Sequence, residues 1–450
     1  MAKLKKRIKE IVQNSAELQK IFKNIGWLIF DKIFKYGIGL FVGIWIARYF
    51  GPKQYGVYSY ALAFTSLFGA VAGLGLKGIV VRELAKEPNK SDEILGSAFL
   101  MMLSAGFFTW FFSTLTIYLM RPGDQTTFWL VTIISGSFIF QSFQTIAYYF
   151  ESRVESRYIV YATNVSFVIS STLKVMLILT NKGLISFALI GLLDIILTSI
   201  ILLIIFKFLK LKIINWKWDA SKAKLLLKDS FPLILSGIMI MIYMKIDQIM
   251  LREMVTDKEL GLYSLAVKLT ELWYFVPLAV HYSVLPKISK TIRENDLASL
   301  NEILDKLFLS ISSYSLIIII GTLIFSELII NVFLGNQYAA SYPMLLILMC
   351  SLLFTSMGLI RGVYLVANNY IKESFFFNFL GVVVNLILNF ILIPKYGGIG
   401  SAIATLVSYS VSSYFSCFIL KRLRPIGRLM TINLVAPLRL GYLFLNREKT

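Results

Sequence analysis

Twelve apolar runs, most long enough to cross about 30 Å of hydrocarbon, follow one another along this chain with short connections between them. They lie at roughly 25–50, 57–76, 94–119, 128–149, 159–180, 183–206, 231–251, 260–286, 307–334, 342–366, 374–393 and 397–420. Hydrocarbon offers no water to unsatisfied backbone groups, so such runs are confined to helices. Composition agrees, with 57% hydrophobic residues and a mean hydropathy of +0.73. The expected fold is therefore an all-α polytopic membrane protein of about twelve transmembrane helices. The first run follows more than twenty basic-rich residues and is too long for a cleaved leader, so it is expected to remain as the first span.

A net charge of +20 would suggest nucleic acid in a soluble protein; here topology accounts for it, and no nucleic-acid partner is expected. The basic residues outside the runs separate by side. The amino terminus, every second loop and the carboxyl tail hold 32 of them, against 6 in the other loops. By the positive-inside rule both termini are expected in the cytoplasm. Residues 1–24 place Leu4, Ile8, Ile11, Leu18 and Phe22 at helical spacing among lysines, which predicts an amphipathic segment on the inner membrane surface. Residues 421–450 form a basic cytoplasmic tail whose semi-apolar stretch, 429–445, holds Pro437 and Arg439 and reads as interfacial.

The chain is internally duplicated. QYGVYSYA (Gln54 to Ala61) and ELGLYSLA (Glu259 to Ala266) share glycine, tyrosine, serine and alanine at one offset of 205. The apolar runs on either side keep step. KGLISFALI (from Lys182) and GGIGSAIAT (from Gly397) correspond more loosely. Two six-helix bundles are expected, 25–206 and 231–420, joined by a basic cytoplasmic linker, 207–230. An even number of spans makes the repeats parallel, and a central cavity between them is the expected substrate path.

Ionisable groups inside spans are costly and usually face a partner or a wet cavity. Lys35, Lys174, Lys245, Lys268 and Arg361, with Asn385, are the candidate cavity cations and polar partner. Asp31, Asp194, Asp247 and Glu271 are candidates for ion coupling. Asp31 and Lys35 stand one turn apart and can pair along one face. Lys268 and Glu271 are three apart, on one side of their helix. Thr163, Ser166, Ser170 and Lys174 form a polar stripe, as do Asn378, Asn385 and Asn389. The bland readings are structural ion pairs, snorkelling lysines and asparagine as glue between helices.

No HExxH, paired CxxC, P-loop or dinucleotide glycine signature is present, and the chain has one histidine and two cysteines, both within apolar runs. No catalytic residue, metal or cofactor is expected, and the short outer loops leave no room for an enzyme site. The segments ARYFGPKQYGVYSYALAF (from Ala47), GLKGIVVRELAK (from Gly75) and LIPKYGGIGSAIATLVS (from Leu392) resemble the polysaccharide transporter family, the lipid-linked oligosaccharide flippases of the multidrug/oligosaccharidyl-lipid/polysaccharide superfamily. The resemblance implies alternating-access movement of undecaprenyl-diphosphate-linked oligosaccharide across the cytoplasmic membrane. It makes that lipid-linked sugar and membrane lipids the partners, with a polysaccharide polymerase and chain-length proteins as further ones. A diphosphate crossing a low dielectric needs fixed cations, a role the intramembrane lysines and arginine fit. The alternatives are a multidrug and toxin extruder of the same superfamily, which would favour an acidic or aromatic cavity, and a membrane polymerase or other assembly enzyme.

Overall fold

The computed structural model describes the backbone of residues 2–434 and most side chains from Asn24 onward. The amphipathic stripe expected in residues 1–24 falls almost wholly on side chains outside the described residues, and so does the tail beyond 434. Among the described residues there is no strand. The first half consists of α1 (Ala2–Ala72), α2 (Leu76–Lys86) and α3 (Ser91–Met120), then α4 (Gln125–Ser135), α5 (Ser137–Phe140) and α6 (Gln144–Ser152) in one broken column, then α7 (Arg157–Leu179) and α8 (Leu184–Phe208). The second half consists of α9 (Ala220–Met254), α10 (Asp257–Glu271), α11 (Phe275–Arg293), α12 (Leu297–Ile329), α13 (Tyr342–Ala367), α14 (Ile371–Ser410) and α15 (Ser416–Ile419).

Nine helical stretches among the described residues are long and apolar enough to cross a membrane. The nine accommodate twelve spans. α1 and α14 each contain a break that makes two spans of one helix, and the eighth span, α10 with α11, is too polar to be among the nine. The breaks occur at Gly51 (φ 68°, ψ 170°) and Gly397 (φ 54°, ψ −133°), conformations that a side chain would strain. Pro52 directly follows the first break, where a helix start leaves its missing N–H without consequence. After the second, Glu259 accepts a hydrogen bond from the freed Gly398 N–H at 3.0 Å.

Two compact units result. The first comprises the residues up to Tyr49 together with Phe64–Ile238; the second comprises Phe50–Ala63 together with the residues from Met239 onward. The core of the first gathers Leu76, Val80, Leu95, Phe150 and Phe206. That of the second gathers Leu304, Phe308, Met357, Ile360 and Phe377. Each core holds side chains spaced one or two helical turns apart in sequence, as an apolar helix stripe requires.

The connection between halves is more helical and more firmly docked than its composition suggests. α8 continues to Phe208 and α9 begins at Ala220, leaving about ten residues outside the two helices. These lie against α3 in the first unit. The Lys217 N–H donates to the Asp92 carbonyl at 3.1 Å, Ser97 and the Asp219 backbone exchange hydrogen bonds at 3.0 and 3.1 Å, and Trp216 packs edge-on to Phe206 and at a tilt against Phe99. Lys222 then pairs with Glu87 at 2.9 Å. Together with Lys90 it holds the Glu87 carboxyl down at about 2.

Candidate functional site

The helices α9 and α10 form a tight hairpin in the second unit, and the sequence at its turn explains why. Thr256 caps α10, its hydroxyl accepting from the Glu259 N–H at 3.2 Å, with Asp257 and Glu259 in the first turn where they favour the helix dipole. The reversal places Tyr263, two turns into α10, beside Asp247, two turns before the end of α9. The Tyr263 hydroxyl donates to one Asp247 carboxylate oxygen, and the Gln248 N–H donates to the other at 2.7 Å. Thr405 of α14 lies 3.2 Å from the same tyrosine hydroxyl. Asp247 is 5% exposed, so an acid is held inside an apolar bundle by two donors, the arrangement that makes a buried carboxylate tolerable.

Beside this acid lies a cavity of about 30 Å³, lined by Asp247, Tyr263, Thr405, Thr270 and Glu271, by three further tyrosines, Tyr243, Tyr274 and Tyr409, and by apolar side chains. That space suits a water molecule or a small cation and is far below the size of a sugar ring. At its margin Lys245 pairs with Glu271 at 3.3 Å. Lys245, and not Lys268, is therefore the ion-pair partner of Glu271. Lys268, on the same helix, is partly buried and makes no ion pair closer than 4 Å among the described residues.

Arg361 and Asn385 do different work. Valine to phenylalanine at 411–415 forms a π-helical turn, which frees backbone carbonyls. One Arg361 nitrogen donates to two of them, Ser412 at 2.6 Å and Ser413 at 3.0 Å, and to the Ser416 hydroxyl at 2.8 Å. Its guanidinium also lies over the Phe377 ring, 5.0 Å from the centroid, and the residue is 4% exposed. Asn389 donates to Asn385 at 2.9 Å and Asn385 to Ser408 at 3.3 Å, joining the two spans of α14. Apart from the Asn389–Asn385 bond, which lies within one span, these are bonds between helical segments, as polar residues in spans commonly make.

In the first unit Lys35 pairs with Asp31 at 2.6 Å, and Asp31 accepts from Thr163 at 3.2 Å. Ser166, one turn further along α7, lies 2.5 Å from Thr198, which in turn donates to the Asp194 carbonyl at 2.9 Å. The structure thus gathers Asp31 and Lys35 with the stripe of α7, and brings α8 to that stripe through Thr198. Lys174 stands farther along α7, partly buried. Buried oxygens and nitrogens of Asp194 and Asn164 have no hydrogen-bond partner here. Tyr263, Tyr243 and Thr405 are the site residues that sequence reasoning did not name. Tyr263 was visible only as a repeated letter of the duplicated motif, and its spacing of sixteen from Asp247 acquires meaning once the hairpin is closed.

A two-unit all-helical bundle with acids and lysines inside its spans has the architecture of a membrane transporter of the multidrug/oligosaccharidyl-lipid/polysaccharide superfamily. Solved structures share it: lipid II flippase MurJ in an inward closed conformation matches with a TM-score of 0.71 at 20% identity, over 93% of this chain and 92% of that one. An inward-facing multidrug resistance transporter of the MATE family matches with a TM-score of 0.71 at 14% identity, over 89% and 99%. The chain belongs to the polysaccharide biosynthesis protein family, whose model matches residues 21–292; a MatE model matches residues 232–391. Among curated proteins, the capsular polysaccharide biosynthesis protein CapF of Staphylococcus aureus is 21% identical over 404 residues, 89% of this chain and 99% of that protein. The probable low-salt glycan biosynthesis flippase Agl15 of Haloferax volcanii is 28% identical over 172 residues, 36% of each chain.

Proposed function

We infer that this protein is a flippase that moves undecaprenyl-diphosphate-linked oligosaccharide units across the cytoplasmic membrane for the synthesis of a surface polysaccharide. One conjunction carries the reading: a chain of the polysaccharide biosynthesis family is built on a transporter fold. A transporter contributes to polymer synthesis by carrying a precursor, and a sugar polymer grown beyond the membrane needs its lipid-linked units carried there. Lys35, Lys174, Lys245 and Lys268 are the cations proposed to meet the diphosphate, whose double charge is otherwise costly to hold in hydrocarbon. Asp247, with Glu271 nearby, is proposed as the coupling site, because its cavity matches an ion and not a sugar. The distribution of basic loops supports a cytoplasmic position for both termini.

The MatE match over residues 232–391 favours a second reading, export of small cationic compounds. One experiment separates the two. Polyprenyl-diphosphate-linked lipids are analysed by mass spectrometry in a strain depleted of this protein and in its parent. Accumulation of one complete oligosaccharide unit is the expected outcome and names the substrate. An unchanged lipid profile would defeat the flippase reading in favour of drug or metabolite export, whereas a ladder of truncated units would indicate an assembly enzyme.

A further inference from the structure

The two copies of the duplicated motif touch each other, glycine to glycine. A Cβ added at Gly56 would lie 1.8 Å from the Asp257 carbonyl oxygen and 3.0 Å from the Gly261 nitrogen. A Cβ added at Gly261 would lie 1.8 Å from the Pro52 carbonyl oxygen and 3.0 Å from the Gly56 nitrogen. The contact is reciprocal in the register of the repeat, because Pro52 and Asp257 are themselves separated by the motif's offset of 205. Each glycine faces the carbonyl one turn before the other glycine, so two helices cross at backbone contact in the manner of small-residue crossings in membranes.

Two further observations bear on this crossing. The first is how it is flanked. The Tyr60 hydroxyl donates to Glu253 at 2.7 Å, and the Arg252 guanidinium lies 4.4 Å from the centre of the Tyr60 ring while pairing with Asp257. The second is how the helix carrying Gly56 is shared. Residues 50–63 pack with the second unit, whereas the continuation of that helix from Phe64 packs with the first, and no break interrupts it between Pro52 and Ala72.

We propose that the Gly56–Gly261 crossing, with Tyr60 held by Arg252 and Glu253, is a releasable latch that keeps shut the end of the protein bearing the Gly51 break and the α9–α10 turn, and that it parts during the transport cycle. The proposal rests on the transporter reading above. The chemistry of the contact suits release. What meets at its centre is backbone and glycine, so parting there breaks weak Cα–H···O contacts, and the flanking hydroxyl, guanidinium and carboxylates are groups that water can satisfy. Gly261 precedes Tyr263 by two residues on α10, and Tyr263 bonds to Asp247. Occupancy of the acid's cavity is thereby tied to the helix that carries one half of the latch.

The test uses the full-length protein in liposomes, with Cys350 and Cys417 replaced by serine and spin labels on Lys53→Cys and Lys258→Cys, both exposed beside the crossing. Distances between the labels are read by pulsed electron spin resonance. Gly56→Ala and Gly261→Ala are each expected to raise the longer-distance population relative to the shorter by about tenfold, the bias that one overpacked methyl gives a two-state equilibrium. Tyr60→Phe, which removes only a hydroxyl, is expected to shift it in the same direction by less, and serves where a glycine variant does not insert. Joining the two cysteines with a short cleavable cross-linker is expected to stop transport, and cleavage to restore it. Distance distributions unchanged in Gly56→Ala and Tyr60→Phe, or undiminished transport in the cross-linked protein, would overturn the latch. The distances are read without substrate, so failure of lipid-linked oligosaccharide to move would count against the substrate and not against the latch.

Discussion

Asp247 shows how one residue can be both a cost and a device. An acid in the hydrocarbon zone is expensive, yet here Tyr263 and the Gln248 N–H supply donors and a small cavity lies alongside. Asn in place of Asp keeps one acceptor oxygen for one of these two donors and holds no charge. Asp247→Asn is therefore expected to insert at normal level and to lose most of its transport, at least tenfold, the scale on which loss of a charged partner in a buried site acts. Transport assayed under imposed proton and sodium gradients checks this, and a variant that still responds to the gradient would remove Asp247 from coupling. At this scale the sequence was partly legible. The costly charges stood out because polarity inside an apolar run is local information. Their partners did not: Lys245 takes Glu271 from across the hairpin, and Arg361 spends its donors on carbonyls freed by a π-helical turn that no pattern of letters announces.

Among the elements, the two long helices α1 and α14 each become two spans through one glycine. The break at Gly397 has positive φ with ψ near −133°, a region that side chains enter only under strain. A methyl there would also sit 2.9 Å from the Glu259 carboxylate that caps the following span. Gly397→Ala is expected to lower stability by about 1–3 kcal/mol, seen as a fall in the unfolding midpoint of the detergent-solubilised protein; an unchanged midpoint would show that the break relaxes freely. The spans themselves were legible because length and apolarity are what a bilayer selects. The connection at 207–230 was less so, since its lysines and tryptophans suggest a membrane surface while its backbone docks on α3 through Lys217, Asp219 and Ser97.

At the scale of the whole molecule, the outward side chains are themselves apolar. Phe107, Phe108, Phe111 and Phe112 of α3 are about half exposed or more, which water would not permit over such a stretch but lipid does. The alternation of basic loops predicts a direction for this body. An impermeant thiol reagent added outside intact cells is expected to label Lys53→Cys and Lys395→Cys, and to reach Lys290→Cys only after the membrane is opened. Labelling of Lys290→Cys in intact cells would invert the topology. The repeat predicts two six-helix bundles, 25–206 and 231–420; the allegiance of residues 50–63 to the second unit is not legible in it, because that depends on which neighbours this part of the helix meets.

That allegiance has a consequence for symmetry. A contact in which residue 56 meets 257 while 261 meets 52 is isologous, the kind that two identical subunits make about a two-fold axis. A single six-helix polypeptide bearing one copy of this motif already carries both halves of the crossing. In this chain each copy of the motif supplies both a glycine and the carbonyl that meets the other glycine, so the two copies are complementary at this point in the way two copies of one surface would be.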